Sequence, residues 1–215
     1  MSNKWHRFRP RVRGSINDPT AYEPDSLYAA ARRIAEETLR SAKPRFGRGD
    51  VYQLTSEAVK RLAGREPHDP EHLLALLILQ SPSAARAQRE MDEHHGGYRN
   101  REARLFELID FNDMFVETVL AIDSSELAQF SNRAREEIDR FCAQQHVASF
   151  TDRQYEAISH GLSREIAVYR AARQIGYIAH MTSRVQDAMG IDMVITDPES
   201  KKSINIDVKT HSAYH

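Results

Sequence analysis

Cysteine is nearly absent from this chain. Among its 215 residues only Cys142 carries a thiol, which excludes an internal disulfide and any zinc module built on several cysteines. Long apolar runs are missing too. The longest, "LLALLIL" at residues 73–79, falls far short of the roughly 20 residues that a membrane span needs and reads as a buried helix segment. The first residues are basic but lack an apolar core followed by a small-residue cleavage site, so no secretory signal is expected and a cytoplasmic protein is. There is no internal repeat and no low-complexity segment. A glycine-rich phosphate loop, a nucleophile-elbow serine and a cysteine–histidine signature are likewise absent.

What is present suits one or two compact domains, since 40% of the residues are hydrophobic. The net charge of −1 hides an asymmetry. Residues 1–48 hold 11 Lys/Arg against 5 Asp/Glu, and the remainder holds 19 against 26. A basic front favours contact with nucleic acid. Arg7, Arg9, Arg11 and Arg13 alternate beside Trp5 and Phe8, and read either as a phosphate-binding arm or as a solvated tail. Lys43, Arg45 and Arg48, after Arg40, form an interhelical loop that either contacts DNA or only solubilises.

From about residue 25 to 146 the pattern is helical. Ser26 can cap a helix running to about Ala42; a break at Gly47–Asp50 precedes another at about 51–63. Asp69-Pro70 opens the leucine-rich helix with a cap followed by proline in the first turn. "HHGG" at 94–97 interrupts. Ser124 or Ser125 is expected to cap the longest helix, whose Leu127, Phe130, Ala134, Ile138 and Phe141 step by 3 and 4. Thr151 and Gln154 carry a capping-box signature for a helix to about Ile175, with Gly161 a candidate kink and Gly176 the stop. A short strand, "YIAHM", follows. His94 and His95 beside Asp92 and Glu93 can be read as a metal pair but are far more ordinary as a solvated turn. His211 and His215 read as a frayed terminus or as substrate contacts.

The stretch "GIDMVITDPESKKSINIDVKT" at 190–210 reads as a hairpin around a four-residue loop, 198–201. Residue 195 then faces 204, and Asp192 faces Asp207. Alternation puts Ile191, Met193, Ile195, Ile204, Ile206 and Val208 on one face and Asp192, Asp207 and Lys209 on the other. Opposed carboxylates repel by a few tenths of a kcal/mol to about 1 kcal/mol in exposed pairs. Either this is the solvated face of an amphipathic hairpin, or a cation such as Mg²⁺ reverses the sign. In the helix before it, the stripe Ile158, Leu162, Tyr169, Ala172 has Glu165 at its middle step. A carboxylate there sits at the stripe's edge beside Ile166, pairs with Arg164 or Arg173, or holds a metal.

A helix bearing Glu165, a strand with "GID" at Asp192 and a strand with "IDVKT" at Asp207 and Lys209 together resemble the core of the PD-(D/E)XK nuclease superfamily. The resemblance covers about residues 151–210. It implies that Asp192 and Asp207 ligate Mg²⁺ or Mn²⁺ with the backbone carbonyl of Val208, that Lys209 positions or activates water, and that Glu165 completes the site directly or through water. The reaction implied is hydrolysis of phosphodiesters in nucleic acid, with DNA the expected substrate. Asp187 reads as a supporting residue or a loop cap. The family's Pro-Asp is here Ile191-Asp192. Its core continues past the lysine with a helix and a strand, for which residues 210–215 leave no room. The sheet is therefore expected to be completed by the helical region or a second chain, a homodimer being simplest, unless the chain is truncated.

The expected fold is α+β: a basic arm (1–24), an all-helical domain (25–148) and a small α/β restriction-endonuclease-like domain with a mixed sheet (149–215). The expected function is a metal-dependent nuclease. The alternative is a catalytically incomplete nuclease fold acting as a DNA-binding or protein-interaction module. No membrane association is expected.

Overall fold

The computed structural model describes residues 26–42, 50–64, 69–94 and 101–209. The basic arm, the 43–49 loop and His211 and His215 lie outside the described residues, so the roles expected of Arg7, Arg9, Arg11, Arg13, Lys43, Arg45 and Arg48 rest on sequence alone. The order is α1 (Leu27–Ala42), α2 (Val51–Ala63), α3 (Pro70–His94), α4 (Arg101–Ala121), α5 (Ser124–Gln144), α6 (Asp152–Gln174), β1 (Ile178–Met181), α7 (Arg184–Ala188), β2 (Met193–Thr196) and β3 (Ser203–Ile206).

The leucine-rich segment becomes the centre of the molecule. α3 packs against α1, α2, α4 and α5, and Leu74, Ala75, Leu77 and Leu79 are fully enclosed. A helix apolar on all sides is the pattern expected of a buried one. Its start is as expected, with the Asp69 carboxylate accepting the His72 main-chain N–H at 3.1 Å. Pro82 lies inside the helix, where its missing N–H frees the Ile78 carbonyl. Ser81 takes over, its buried hydroxyl donating to that carbonyl at 2.7 Å.

Other caps follow the sequence closely. Ser26 Oγ accepts from Ala29 N, and the Asp50 carboxylate from Tyr52 N. Two expectations about α5 are corrected. Its cap position is Asp123, with Ser124 already helical, and α3, not α5, is the longest helix. Ile122 still bonds back to Thr118 as in a helix, so the break between α4 and α5 falls at Asp123. The expected stripe of α5 is right: Phe130, Ala134, Ile138 and Phe141 are all buried.

α6 begins at the Thr151–Gln154 capping box and runs through Gly161 unbroken, so that glycine ends no helix. Arg135 on α5 anchors its start by donating to the Phe150 carbonyl at 2.9 Å. Tyr155, Leu162 and Ile166 enter the same apolar core that α1 to α5 share. α6 stops at a left-handed Gly176, φ +98°, where Tyr177 N bonds the Ala172 carbonyl and Gly176 N that of Arg173. That double bond is the glycine-dependent helix terminator.

The described sheet is three-stranded and antiparallel throughout, in the order β1-β2-β3. The fold is thus α+β, but the mixed sheet expected from the sequence is not present among the described residues. The reason is connection length: parallel neighbours need a crossover of a dozen or more residues, whereas β1 reaches β2 through one short helix and β2 reaches β3 through a tight loop. In that hairpin the expected register holds, with Met193 opposite Ile206 and Ile195 opposite Ile204. The loop closes by Asp197 N to Lys202 O, 2.9 Å. The apolar face is covered unevenly: Met193 and Ala179 are buried, while Ile204 is 58% exposed.

Candidate functional site

The hairpin register changes where the candidate carboxylates begin. Asp192 N donates to the Ile206 carbonyl at 2.9 Å, one residue out of step with the ladder, while its own carbonyl accepts from Thr182 N at 3.2 Å. The local pattern is that of a β-bulge. Asp192 and Asp207 are therefore not a simple opposed pair, as a straight continuation of the ladder would make them. Instead the Asp192 Oδ2 accepts the main-chain N–H of Val208 at 2.5 Å. The side chain extends the ladder by one bond and fixes the residues on either side of Val208. Lys209 Nζ lies 2.7 Å from Asp207 Oδ1. Before Asp192, α7 ends at Gly190, φ +79°. A β-carbon there would be strained by that backbone and would sit 3.8 Å from Asp207 Oδ2.

Glu165 approaches from α6. The buried stripe is Tyr155, Ser159, Leu162, Ile166 and Ala172, one step away from the Ile158–Tyr169 line expected, and this places Glu165 at its edge. It is half-buried. The pairing with Arg164 or Arg173 is not formed, since Arg173 Nη1 instead donates to the Tyr169 hydroxyl at 2.8 Å. No described residue hydrogen-bonds or ion-pairs with Glu165. Burial pushes its carboxyl up to about 7, with further upward pressure from Asp192, Asp187 and Asp113 and relief from Lys209.

A cleft of about 350 Å³ lies between α4, α6, α7 and the start of β2, lined among others by Asp113, Glu117, Glu165, Arg184, Asp187 and Asp192. Burial raises Asp192, a shift opposed by the Val208 N–H bond and reinforced by Asp207. Asp187 is raised by burial and by Asp192. Asp187 is not the loop cap the sequence suggests; it sits within α7 and lines the cleft. Asp207 and Lys209 stand beyond Asp192, outside the lining, their side chains 41% and 50% exposed. Even so, Lys209 lowers the acids at 165, 187 and 192 electrostatically.

The cleft also holds a residue that sequence reasoning missed. Asp113, on α4, is pushed up to about 7 by burial, then by Asp187, Asp110 and Glu117, with Arg184 opposing. A signal existed: Asp110, Asp113 and Glu117 recur at 3 and 4 along an otherwise apolar helix, which sets one acidic stripe on one face. Arg184 meets it, its Nε 2.9 Å from Asp110 Oδ1 and its guanidinium 4.3 Å from the Phe106 ring centre.

Of the residues singled out by sequence, Glu165 and Asp192 line one cleft, while Asp207 and Lys209 stand beyond Asp192 at the open end of the hairpin. Val208 serves through its N–H, which binds Asp192. At Asp92 the structure points away from metal binding, since its carboxylate accepts from the Gln88 and Gln154 amides. Among the described residues no three His, Cys, Asp or Glu side chains converge as a ready-made metal cage. The donor chemistry nevertheless suits a hard divalent ion. Asp192 and Asp207 are carboxylates at the same end of the hairpin, and Glu165, Asp187 and Asp192 are each raised by burial and by a neighbouring acid, a load that a cation would relieve. Compared with known protein families, curated proteins and solved structures, this chain matches none.

Proposed function

We propose that this chain is a cytoplasmic, metal-dependent nuclease that hydrolyses phosphodiester bonds in nucleic acid, DNA rather than RNA, with Asp192, Asp207, Lys209 and Glu165 as its working residues. One observation carries the reading. The Asp192 carboxylate is bonded to the main chain immediately before Lys209, and Lys209 is bonded to Asp207. Residues fifteen or more apart in sequence are thereby held as one cluster of two carboxylates and an amine. A solvated hairpin face has no need of the bulge and the side-chain-to-backbone bond that hold it.

In this reading the Asp192 and Asp207 carboxylates would hold Mg²⁺ or Mn²⁺, with the Val208 carbonyl as a further donor. The ion supplies Lewis-acid polarisation of the phosphate and a more acidic water. Glu165, whose carboxyl is raised to about 7, would lie beside that site and, once ionised, could accept a proton there. Lys209 offsets the charge that grows on the phosphate oxygens, a contribution made in the transition state rather than in binding. The same placement supports the reading of these residues by their resemblance to the PD-(D/E)XK superfamily. The restriction-endonuclease-like character of the 149–215 region and its boundary with the helical region at 25–148 belong to this proposal, with α6 packing across that boundary into the helical core.

A second reading is favoured by one finding, the lack of a converged three-ligand cage among the described residues. In it the same fold binds DNA or a protein without cutting. Cleavage of a supercoiled plasmid with Mg²⁺ or Mn²⁺, using wild type and Lys209→Ala, separates the two. Metal-dependent nicking that the variant loses, at unchanged melting temperature, supports the nuclease. Equal nicking by both proteins, or by neither, removes it.

A further inference from the structure

We propose that two copies of this chain join edge to edge through β3, antiparallel about a two-fold axis at Ile204, merging two three-stranded sheets into one. The proposal stands independently of the nuclease reading.

The phase of the hairpin fixes which groups face outward. Asp197 N bonds Lys202 O, so residues 197 and 202 form a bonded pair. Bonded and non-bonded pairs alternate along an antiparallel ladder. Residues 204 and 206 therefore spend their main-chain groups on β2, while Ser203 and Asn205 turn theirs away from it. The 2.8 Å contact between the Thr196 and Ser203 hydroxyls fits the closer, non-bonded kind of pair. Among the described residues nothing pairs with that outer edge, because β3 ends the strand order.

Natural edge strands are blunted by charge, proline or a bulge on the exposed strand. Ser203–Ile206 is short, at four residues, but its "SINI" carries no charge, proline or bulge. At its middle Ile204 is 58% exposed. A two-fold axis there sets Ile204 against Ile204 of the second copy at a narrow, non-bonded position, and sets Ser203 against Asn205. The ends match as well. The turn carrying Lys201 and Lys202 falls beside Asp207 of the second copy, an unlike-charge arrangement that favours pairing. The neighbouring symmetric register, centred on Asn205, would set Lys201 against Lys209 and is disfavoured for that reason. A strand whose middle is apolar, whose flanks are polar and whose ends differ in charge complements itself, which points to a second copy of this chain rather than an unrelated strand.

The register makes the test specific. At a non-bonded antiparallel pair the α-carbons stand about 4.5 Å apart, within the span of a disulfide, whereas residues staggered by two positions lie beyond its reach of about 7 Å. Ile204→Cys should form a disulfide dimer readily under mild diamide oxidation, and Ser203→Cys should not. The native Cys142 is fully buried and does not compete. Ile204 is exposed, so the substitution leaves the fold intact, and a circular dichroism melt checks this. Light scattering of the unaltered full chain should show a mass twice the 24.6 kDa of one copy. Asn205→Pro, which deletes an outward N–H and no β2 bond, should return it to one copy. A strictly monomeric wild type at its highest soluble concentration overturns the proposal. So does a dimer in which Ile204→Cys cross-links no faster than Ser203→Cys.

Discussion

The Asp192 carboxylate accepts the Val208 main-chain N–H at 2.5 Å. This single bond joins the start of β2 to the end of β3 and determines where Asp207 and Lys209 stand. A carboxylate accepting a main-chain N–H is a charge-assisted bond, stronger than its neutral counterpart. It opposes, without cancelling, the burial that raises Asp192 above the usual carboxylate range. The site's electrostatics and its backbone geometry thus depend on the same atoms.

Melting in the presence and absence of metal tests this site without any assay of cleavage. Wild type should gain melting temperature from millimolar Mg²⁺ or Mn²⁺, since a ligand bound only to the folded state stabilises it. Asp207→Asn should hold or raise the melting temperature in EDTA, because it relieves like charge at nearly constant volume. It gives up only an ion pair that is well exposed, and such pairs contribute at most about 1 kcal/mol. The variant should lose most of the gain from metal. A wild type indifferent to both ions would sink the metal site.

The acids of the cleft predict a pH dependence of definite sign. Glu165 and Asp113 hold their protons in the fold up to about pH 7, well above where an unfolded chain releases them. Between those limits the folded state binds more protons than the unfolded one, so stability falls as pH rises from about 4 to 7 and then levels off. Glu165→Gln should therefore match wild type at pH 4 and exceed it at pH 8. With the discount due to a half-exposed group, the gain is about 1–2 kcal/mol. Asp113→Asn should behave alike, and the double variant should gain less than the sum, because Asp113 is one of the charges that raise Glu165. Urea melts at the two pH values decide the matter, and equal differences at both would refute the reading.

Ser81→Ala should destabilise the helical core. It leaves the Ile78 carbonyl, deprived of a partner by Pro82, unpaired in a fully buried place. An unsatisfied buried acceptor costs about 1–3 kcal/mol. Replacing Pro82 as well, in Ser81→Ala/Pro82→Ala, should recover part of the loss by restoring the helical N–H. Thermal melts of the two variants would show it, and a double variant weaker than the single one would contradict this account.

Deleting residues 1–13 removes five Lys/Arg. If these contact phosphate, DNA affinity should fall and its salt dependence should flatten, because each phosphate contact adds about 0.9 to the slope of log affinity against log salt on duplex DNA. A titration series over salt concentration reads the slope directly. An unchanged slope would leave the arm without a role in binding.

Much of this molecule is determined by local sequence. Asp50, Asp69 and the Thr151–Gln154 box start helices where their side chains reach main-chain donors two or three residues ahead. Gly176 ends one because the backbone there is left-handed. The hairpin register follows from loop length and from alternation, both short-range. The sequence points to Glu165 and Asp192 only through a family resemblance carried by helix and strand order, and the two do line one cleft. What sequence alone could not give depends on packing between distant elements. The burial of Glu165 and Asp113, and hence their raised pKa, requires α4 and α6 to close on one cleft. The bulge at Asp192 arises where β2 is bonded to β1 and β3 at once, by Thr182 on one side and Ile206 on the other. An alternating pattern cannot announce that, since a bulge shifts hydrogen bonds without changing the residues that make them. Ile204 makes the same point from the other side: the sequence assigns it to the apolar face, and only the reach of the helices above the sheet left it in water.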